Sequence, residues 1–204
     1  MFYLEAKRFE GKRALDLGCA SGDYLSFFVK GSVGVEASLP SLEACREKGL
    51  DARYGDLNRP LEFGDGEFGV VFCSHVLEHV DSPIGLLREA WRVLSPGGLL
   101  LIVVPNEDSI ANRIGFDPYF GGHEEHLYSF SEDNLAALCS RAGFVTEAIL
   151  YSVYSLNRLY SRSPILVRAL QRMYQSAGRR FLPFFTSAYW LIARKTETSY
   201  PVSE

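Results

Sequence analysis

The sequence predicts an α/β fold, in which a mostly parallel sheet lies between layers of helices. Three observations predict it. Short apolar runs alternate with helical patterns along residues 14–104, the signature of strands joined through helices. Phe68–Ser74 is apolar almost throughout, as a strand covered on both faces must be. Helix start and stop signals fall between these runs rather than inside them.

Taken in order, Ala14–Leu17 reads as a short strand ending in a glycine-rich turn. Asp23–Lys30 has a helical pattern, and Ser32–Glu36 reads as the second strand. Ser38 is suited to cap a helix over Pro40–Lys48, with proline early and Gly49 just past its end. Ala52–Tyr54 and Phe68–Ser74 are the third and fourth strands. Ile84–Leu94 is amphipathic, Pro96-Gly97-Gly98 breaks it, and Leu99–Val104 follows as the most hydrophobic strand. A long connection, Pro105–Phe130, comes next, with a short helix expected near Ser109–Ile114; connections of that length are often functional. Ser131 caps a helix over Glu132–Arg141 that Gly143 ends. Phe144–Val153 reads as a sixth strand. Leu156–Gln175 is helical in pattern with Pro164 as an interruption, and Ala188–Arg194 is the last strand.

The chain has 204 residues, enough for one domain with a real core. Its charge is uneven. Residues 1–150 carry 13 Lys/Arg and 23 Asp/Glu, a balance of −10, whereas residues 151–204 carry 8 and 2, a balance of +6. Cys19, Cys45, Cys73 and Cys139 are widely spaced, with no CxxC, and read as reduced thiols. Residues 1–10 lack the apolar run of a signal peptide, and no stretch reaches the roughly 18 apolar residues of a spanning helix. The expected location is cytoplasmic.

The chemistry concentrates at strand ends. Leu15-Asp16-Leu17-Gly18-Cys19-Ala20-Ser21-Gly22 sits at a strand-to-helix turn, where glycines let the backbone approach a ligand. Glu36 ends the second strand 18 positions after Gly18 and can accept from both hydroxyls of a ribose. Asp56, in Tyr54-Gly55-Asp56-Leu57, can accept from an adenine amino group. These positions lie at the carboxyl ends of strands, where open α/β sheets bind ligands. The G-x-G-x-x-G of a dinucleotide site is missing. Asp16, just before the first glycine, is awkward beside a pyrophosphate and suits a ligand carrying an ammonium and a sulfonium.

With these segments in place, the chain resembles the class I S-adenosylmethionine-dependent methyltransferases. LDLGCASG, VGVEAS, YGDLNRPLEFGDGEFGVVFCSHVLEHV and VLSPGGLLLIVVPN carry the resemblance, and HLYSFSEDNLAALCSRAGF is similar to the subgroup of ubiquinone-biosynthesis O-methyltransferases. It covers roughly residues 11–150. It implies a Rossmann-like three-layer sandwich with a seven-stranded sheet in the order 3-2-1-4-5-7-6 and an antiparallel last strand. S-adenosyl-L-methionine is the implied cofactor. Asp16, Gly18 and Gly22 would line its methionine end, with Cys19 in the same turn. Glu36 would bind the ribose, with Ala37 beside it, and Asp56 and Leu57 would flank the adenine. Ser74 and His75 would sit near the methionine and the methyl group. Ala20 departs from the glycine frequent in the family and is tolerated if its φ is negative.

His75-Val76-Leu77-Glu78-His79 fits H-x-x-E-H, a zinc-protease pattern, but that pattern needs one continuous helix, and here a buried strand precedes it and Pro83 soon follows. Some relatives in the ubiquinone pathway hold a divalent ion here with two Glu and a His; His75 stands at the first of those positions, so no metal is expected, and Glu78 and His79 read as a pair that orders the loop. His123-Glu124-Glu125-His126 lies in the long connection. It reads either as a solvated polar loop or as the source of an acceptor-site base. Methyl transfer to a hydroxyl needs a base near neutral pKa, and imidazole suits that role. His126 is the first candidate, followed by His123 and His75.

Between Tyr151 and Ser187 stand six arginines and no acid, interleaved with tyrosines and phenylalanines. This basic aromatic insertion, at about 154–186, reads as a helical pair on the sheet edge, as a cap over the acceptor pocket, or as a surface that docks on anionic lipid at the inner face of the membrane. Nucleic acid is disfavoured because the rest of the chain is acidic. The expected acceptor is a small or lipid-linked molecule, methylated at oxygen. The alternatives are a non-catalytic S-adenosylmethionine-binding or scaffold protein and a nucleotide-dependent oxidoreductase.

Overall fold

The structure is a computed structural model, and it describes residues 8–106, 126–152 and 188–197. Seven strands form one sheet in the order β3-β2-β1-β4-β5-β7-β6. They are β1 (Ala14–Leu17), β2 (Val33–Glu36), β3 (Ala52–Tyr54), β4 (Phe68–Ser74), β5 (Leu94–Pro105), β6 (Phe144–Ser152) and β7 (Ala188–Lys195). The helices are α1 (Leu39–Glu47), α2 (Pro83–Val93) and α3 (Glu132–Arg141). The pairs from β3 to β5 are parallel; β7 runs antiparallel to both β5 and β6. The sheet order and the antiparallel last strand are those the resemblance implies.

Strand periodicity divides the core in two. Leu100, Ile102 and Val104 of β5 join Leu15, Leu17, Val71 and Cys73 on one face, where α2 lays Leu86, Leu87, Ala90 and Val93 and α3 lays Leu135 and Cys139. Leu99, Leu101 and Val103 point the other way and meet Val70, Phe72, Trp190 and Ile192, against which Phe9, Tyr24 and Phe28 pack. Each of the buried Leu, Ile, Val and Phe side chains contributes about 1.5–3 kcal/mol relative to exposure. Both faces of β4 and β5 are covered, which explains their unbroken apolar runs.

The caps form where serine marks them. Ser38 accepts from Ser41 N–H, Ser82 from Gly85 N–H and Ser131 from Asn134 N–H. Two segments differ from expectation. In Asp23–Lys30 only Leu25–Phe27 is helical, as a single 3-10 turn. A segment this short makes a marginal α-helix, and the extended backbone at Phe28 seats its ring against Phe9 and Phe72. Pro96-Gly97-Gly98 does not separate helix from strand. It lies inside β5, where the register with β4 jumps from Phe68↔Leu94 to Val70↔Leu99. A Cβ on Gly98 would lie 2.8 Å from Ser95 O, and Gly97 takes φ +68°, so the bulge needs both glycines. The expected elements at Ser109–Ile114 and Leu156–Gln175, and the basic insertion at 154–186, fall outside the described residues.

Candidate active site

The sheet order sets the carboxyl ends of β3, β2, β1 and β4 side by side, and the candidate residues project from that edge. After β1 the chain turns through three left-handed residues, Gly18 (φ +69°), Ala20 (φ +46°) and Gly22 (φ +77°). The turn is pinned to β2: Gly18 N–H and Cys19 N–H both donate to Val35 O, at 2.8 and 3.1 Å. A Cβ at Gly18 would strike Val76 after β4, and one at Gly22 would reach Cys45 Sγ at 2.9 Å. Here glycine is required by both φ and space. The condition set for Ala20 fails, because its φ is positive. The fold holds an L-residue in a region that costs about 1–2 kcal/mol, and the compensation is visible: Ala20 N–H donates to Glu36 Oε2 at 2.9 Å.

Glu36 spans the gap between two turns. Its second oxygen, Oε1, accepts from Ser38 N–H at 2.8 Å, so the carboxylate is fixed at the end of β2, beside Ala37 and close to the β1 turn. A carboxylate has about four acceptor positions, which leaves capacity for sugar hydroxyls. Asp16 is the buried acid of the site, 2% exposed, and its Oδ2 accepts no hydrogen bond. Burial, helped by the nearby Glu36 charge, pushes its pKa up to about 8. An orphaned buried carboxylate beside a backbone cradle fits an ammonium or sulfonium ligand and does not fit a pyrophosphate. Cys19 points its thiol at Gly34 and Cys45, so the side chain props the turn from behind. Burial, the largest cause, raises the pKa of both thiols. Asp56 follows β3, half exposed, its Oδ1 accepting from Asn58 N–H. Beside it opens a groove of about 390 Å³ lined by Val35, Arg53, Tyr54, Arg59 and Phe63 among others. Neither Asp16 nor Glu36 lines that groove. Leu57 packs on the main core, in reach of Gly18 and Val76. Ser74 ends β4, and His75, the next residue, is left-handed at φ +55° with its N–H on Val103 O.

A second group of side chains gathers around the loop after β4. Glu78 is 1% exposed, and His75 Nδ1 lies 3.3 Å from its Oε1. The rings of His79 and His126 meet edge to face, centroids 4.8 Å apart. The segment after His126 is tied to this loop by Leu127 N–H and Tyr128 N–H on Glu78 O and by Tyr128 O–H on Asp81 O. His126 is thus delivered from 48 positions beyond Glu78. His123 lies outside the described residues. Glu78 and His79, expected as a pair that orders the loop, stand among these imidazoles, and Asn106 is a polar residue that no local pattern singles out. Asn106 is buried at the end of β5 and accepts from Tyr189 O–H at 2.8 Å. The signal for Glu78 was an acid within an otherwise apolar Val76-Leu77-x-x-Val80 run.

With the geometry described, likeness to known proteins can be placed on it. Residues 2–149 match the family model described as a methyltransferase domain. A ubiquinone biosynthesis O-methyltransferase of Maricaulis maris is 34% identical over 120 residues, 54% of this chain and 47% of that protein. A protein of Mycolicibacterium smegmatis, described as a probable S-adenosylmethionine-dependent methyltransferase, is 31% identical over 71% of this chain and 56% of its own length. The chain spans about half the length of the curated relatives it matches. Among solved structures, an S-adenosylmethionine-dependent methyltransferase of Archaeoglobus fulgidus superposes with a TM-score of 0.69 at 22% identity, covering 95% of this chain and 91% of that one. Another, from Mesorhizobium loti, gives 0.63 at 19% identity with 91% of each chain covered. The chain therefore belongs to the methyltransferase-domain family.

Proposed function

We propose that the chain transfers the methyl group of S-adenosylmethionine to an oxygen of a small or lipid-linked acceptor. The observation that carries this reading is the juxtaposition of a cationic-ligand cradle, built on Asp16 and the β1 turn, with a group of imidazoles at the end of β4. The cofactor brings its own leaving group, a neutral thioether. The protein's work is to hold the acceptor in line, exclude water and remove a proton.

Asp16 faces the charged amino-acid end, Glu36 holds the ribose, and Asp56 with Leu57 flanks the adenine. His75 precedes Val76, whose side chain packs on Gly18 of the turn. His126 stands against His79, ring centroids 4.8 Å apart, beside the loop that follows His75. Either imidazole can take the proton of an acceptor hydroxyl. The likeness to ubiquinone biosynthesis O-methyltransferases supports oxygen as the acceptor atom. A lipid-linked acceptor and a peripheral contact with anionic membrane rest on the arginine-rich aromatic segment at 154–186. Among the described residues no helix is long and apolar enough to cross a membrane.

The test is turnover of methyl-labelled S-adenosylmethionine against a panel of hydroxylated and prenylated aromatic compounds. Of His126→Ala and His75→Ala, the variant that removes the base should lower the rate roughly 100-fold or more, and His126→Ala should leave cofactor affinity within a few fold. Normal turnover in a variant removes that residue from the base role. Tight cofactor binding with no turnover on any compound favours a binding or scaffold protein instead.

A further inference from the structure

His75 and Glu78 are each held in an unfavourable state. His75 is a non-glycine residue at φ +55°, a left-handed region that an L-side chain enters only under constraint. The constraint is visible: its N–H donates to Val103 O at 2.9 Å, and the next residue, Val76, packs on Gly18. Glu78 is 1% exposed, and among the described residues neither carboxylate oxygen accepts a hydrogen bond. A carboxylate withdrawn from water is costly unless donors or a cation face it. The two features meet, because His75 Nδ1 lies 3.3 Å from Glu78 Oε1.

Charge-assisted N–H···O bonds run at about 2.7–2.9 Å, so the contact has to close by roughly 0.5 Å, a small turn of the ring. Exposure of the two side chains is unequal, 32% for His75 against 1% for Glu78. One edge of the imidazole therefore rests on a buried acid while part of the ring stays open. Which ring nitrogen carries the proton is set by the bond that the other makes. An ionised carboxylate can only accept, so Nδ1 is the donor and Nε2 keeps its lone pair. Glu78 is anchored through its main chain as well, its carbonyl accepting from Leu127 N–H at 2.8 Å and Tyr128 N–H at 3.3 Å. His79 and His126 also bring a ring nitrogen each within 4.8 Å of the carboxylate, so experiment has to separate them from His75.

We propose that His75 and Glu78 form an imidazole–carboxylate dyad, in which His75 Nε2 takes the acceptor's proton and Glu78 is the positioning residue. The inference rests on the proposed methyl transfer and decides between its two candidate bases in favour of His75. As the acceptor oxygen's electron pair forms the bond to the methyl carbon, the carbon–sulfur bond breaks and its pair stays on the thioether, while the O–H proton passes to Nε2. Positive charge thereby moves from the sulfonium to the imidazole, where a buried carboxylate already faces it. Opposite charges attract more strongly in a site shielded from water. Glu78 therefore acts on the transition state more than on binding. Solvent takes the proton from His75 after turnover.

The experiment is a double-variant series assayed with the most active compound of the hydroxylated and prenylated aromatic panel. Glu78→Gln keeps the shape and removes the charge. It should lower kcat roughly tenfold or more, with acceptor KM and S-adenosylmethionine affinity within a few fold. Combined with His75→Ala it should add less than about twofold, because the group it serves is gone; combined with His126→Ala it should keep its full factor. Glu78→Gln at the parent rate overturns the dyad. So does a loss of full size in the His75→Ala background, which marks a structural role, or a loss that vanishes only with His126→Ala, which moves the base there. A spectroscopic readout stands apart from turnover. Nitrogen NMR of the parent, with the ring neutral, should show His75 protonated at Nδ1, its signals assigned by their absence from His75→Ala. Protonation at Nε2 overturns the pairing, and this result decides even where Glu78→Gln does not fold. A parent that transfers no methyl group to any compound sinks the methyltransferase reading, while the resonances still report whether His75 and Glu78 pair.

Discussion

The two sides of the cleft are built in different ways. On the side proposed to hold the cofactor, the candidate positions come from short strands and the turns directly after them, and the backbone does much of the work. Gly18, Ala20 and Gly22 are held left-handed, the turn hangs on Val35 O, and Glu36 is fixed by two N–H groups. On the side proposed for the acceptor, side chains from segments 48 positions apart converge, with His126 brought to Glu78 and His79 by hydrogen bonds at Leu127 and Tyr128. The first side is a local construction, in which one strand and one turn fix each group. The second is tertiary, and its chemistry exists only after the chain has closed. Substitutions on the first side should therefore change cofactor affinity, and those on the second should change rate.

The largest effect should come from Asp16. Its pKa is raised from the ordinary carboxylate range to about 8, so the folded cofactor-free protein holds a proton there that the unfolded chain has lost. Stability from this group is complete below about pH 4 and is lost as pH climbs through about 8. Asp16→Asn cannot ionise. Denaturant unfolding from pH 5 to 9 should show the variant gaining on the parent with rising pH, by several kcal/mol at the top, while its affinity for S-adenosylmethionine falls about 100-fold or more. A pH-independent difference would show that Asp16 ionises freely in the folded state.

Glu36→Ala comes next. It leaves ribose hydroxyls unpaired and frees Ala20 N–H and Ser38 N–H, and should weaken S-adenosylmethionine by about 1–3 kcal/mol in a calorimetric titration. An unchanged dissociation constant means the ribose lies elsewhere. The smallest effect is a gain. Ala20→Gly relieves a residue at φ +46° but loosens the unfolded chain, for a net stabilisation of about 0.5–1 kcal/mol in urea unfolding. A loss of stability would mean the alanine methyl makes contacts that outweigh the strain.

The same division decides what the sequence could reveal. The placement of Asp16 before a glycine turn, of Glu36 at a strand end and of the caps Ser38 and Ser131 before helices was legible because each depends on its neighbours in the chain. Even there, left-handed Ala20 was not, since only Gly18 and Gly22 advertise that backbone. The bulge at Pro96-Gly97-Gly98 was misread because those residues break a helix as readily as they bend a strand, and pairing with β4 decides between the two. The 3-10 turn at Leu25–Phe27 lost its helical continuation to aromatic packing on Phe72, a contact that local propensity does not encode. The grouping of Glu78, His79 and His126 depends on where the chain returns after β5, which no local pattern specifies.

The central claim is that Asp16, Glu36 and Asp56 grip one adenosyl ligand along the carboxyl edge of the sheet. The most direct measurement is calorimetric titration with S-adenosylmethionine near pH 7 in buffers of different ionisation enthalpy, with NAD as the competing ligand. The account predicts that S-adenosylmethionine binds, NAD does not, and on the order of one proton is released from Asp16 as the cation enters. Binding of NAD alone, or S-adenosylmethionine binding with the same proton release in Asp16→Asn, would contradict it.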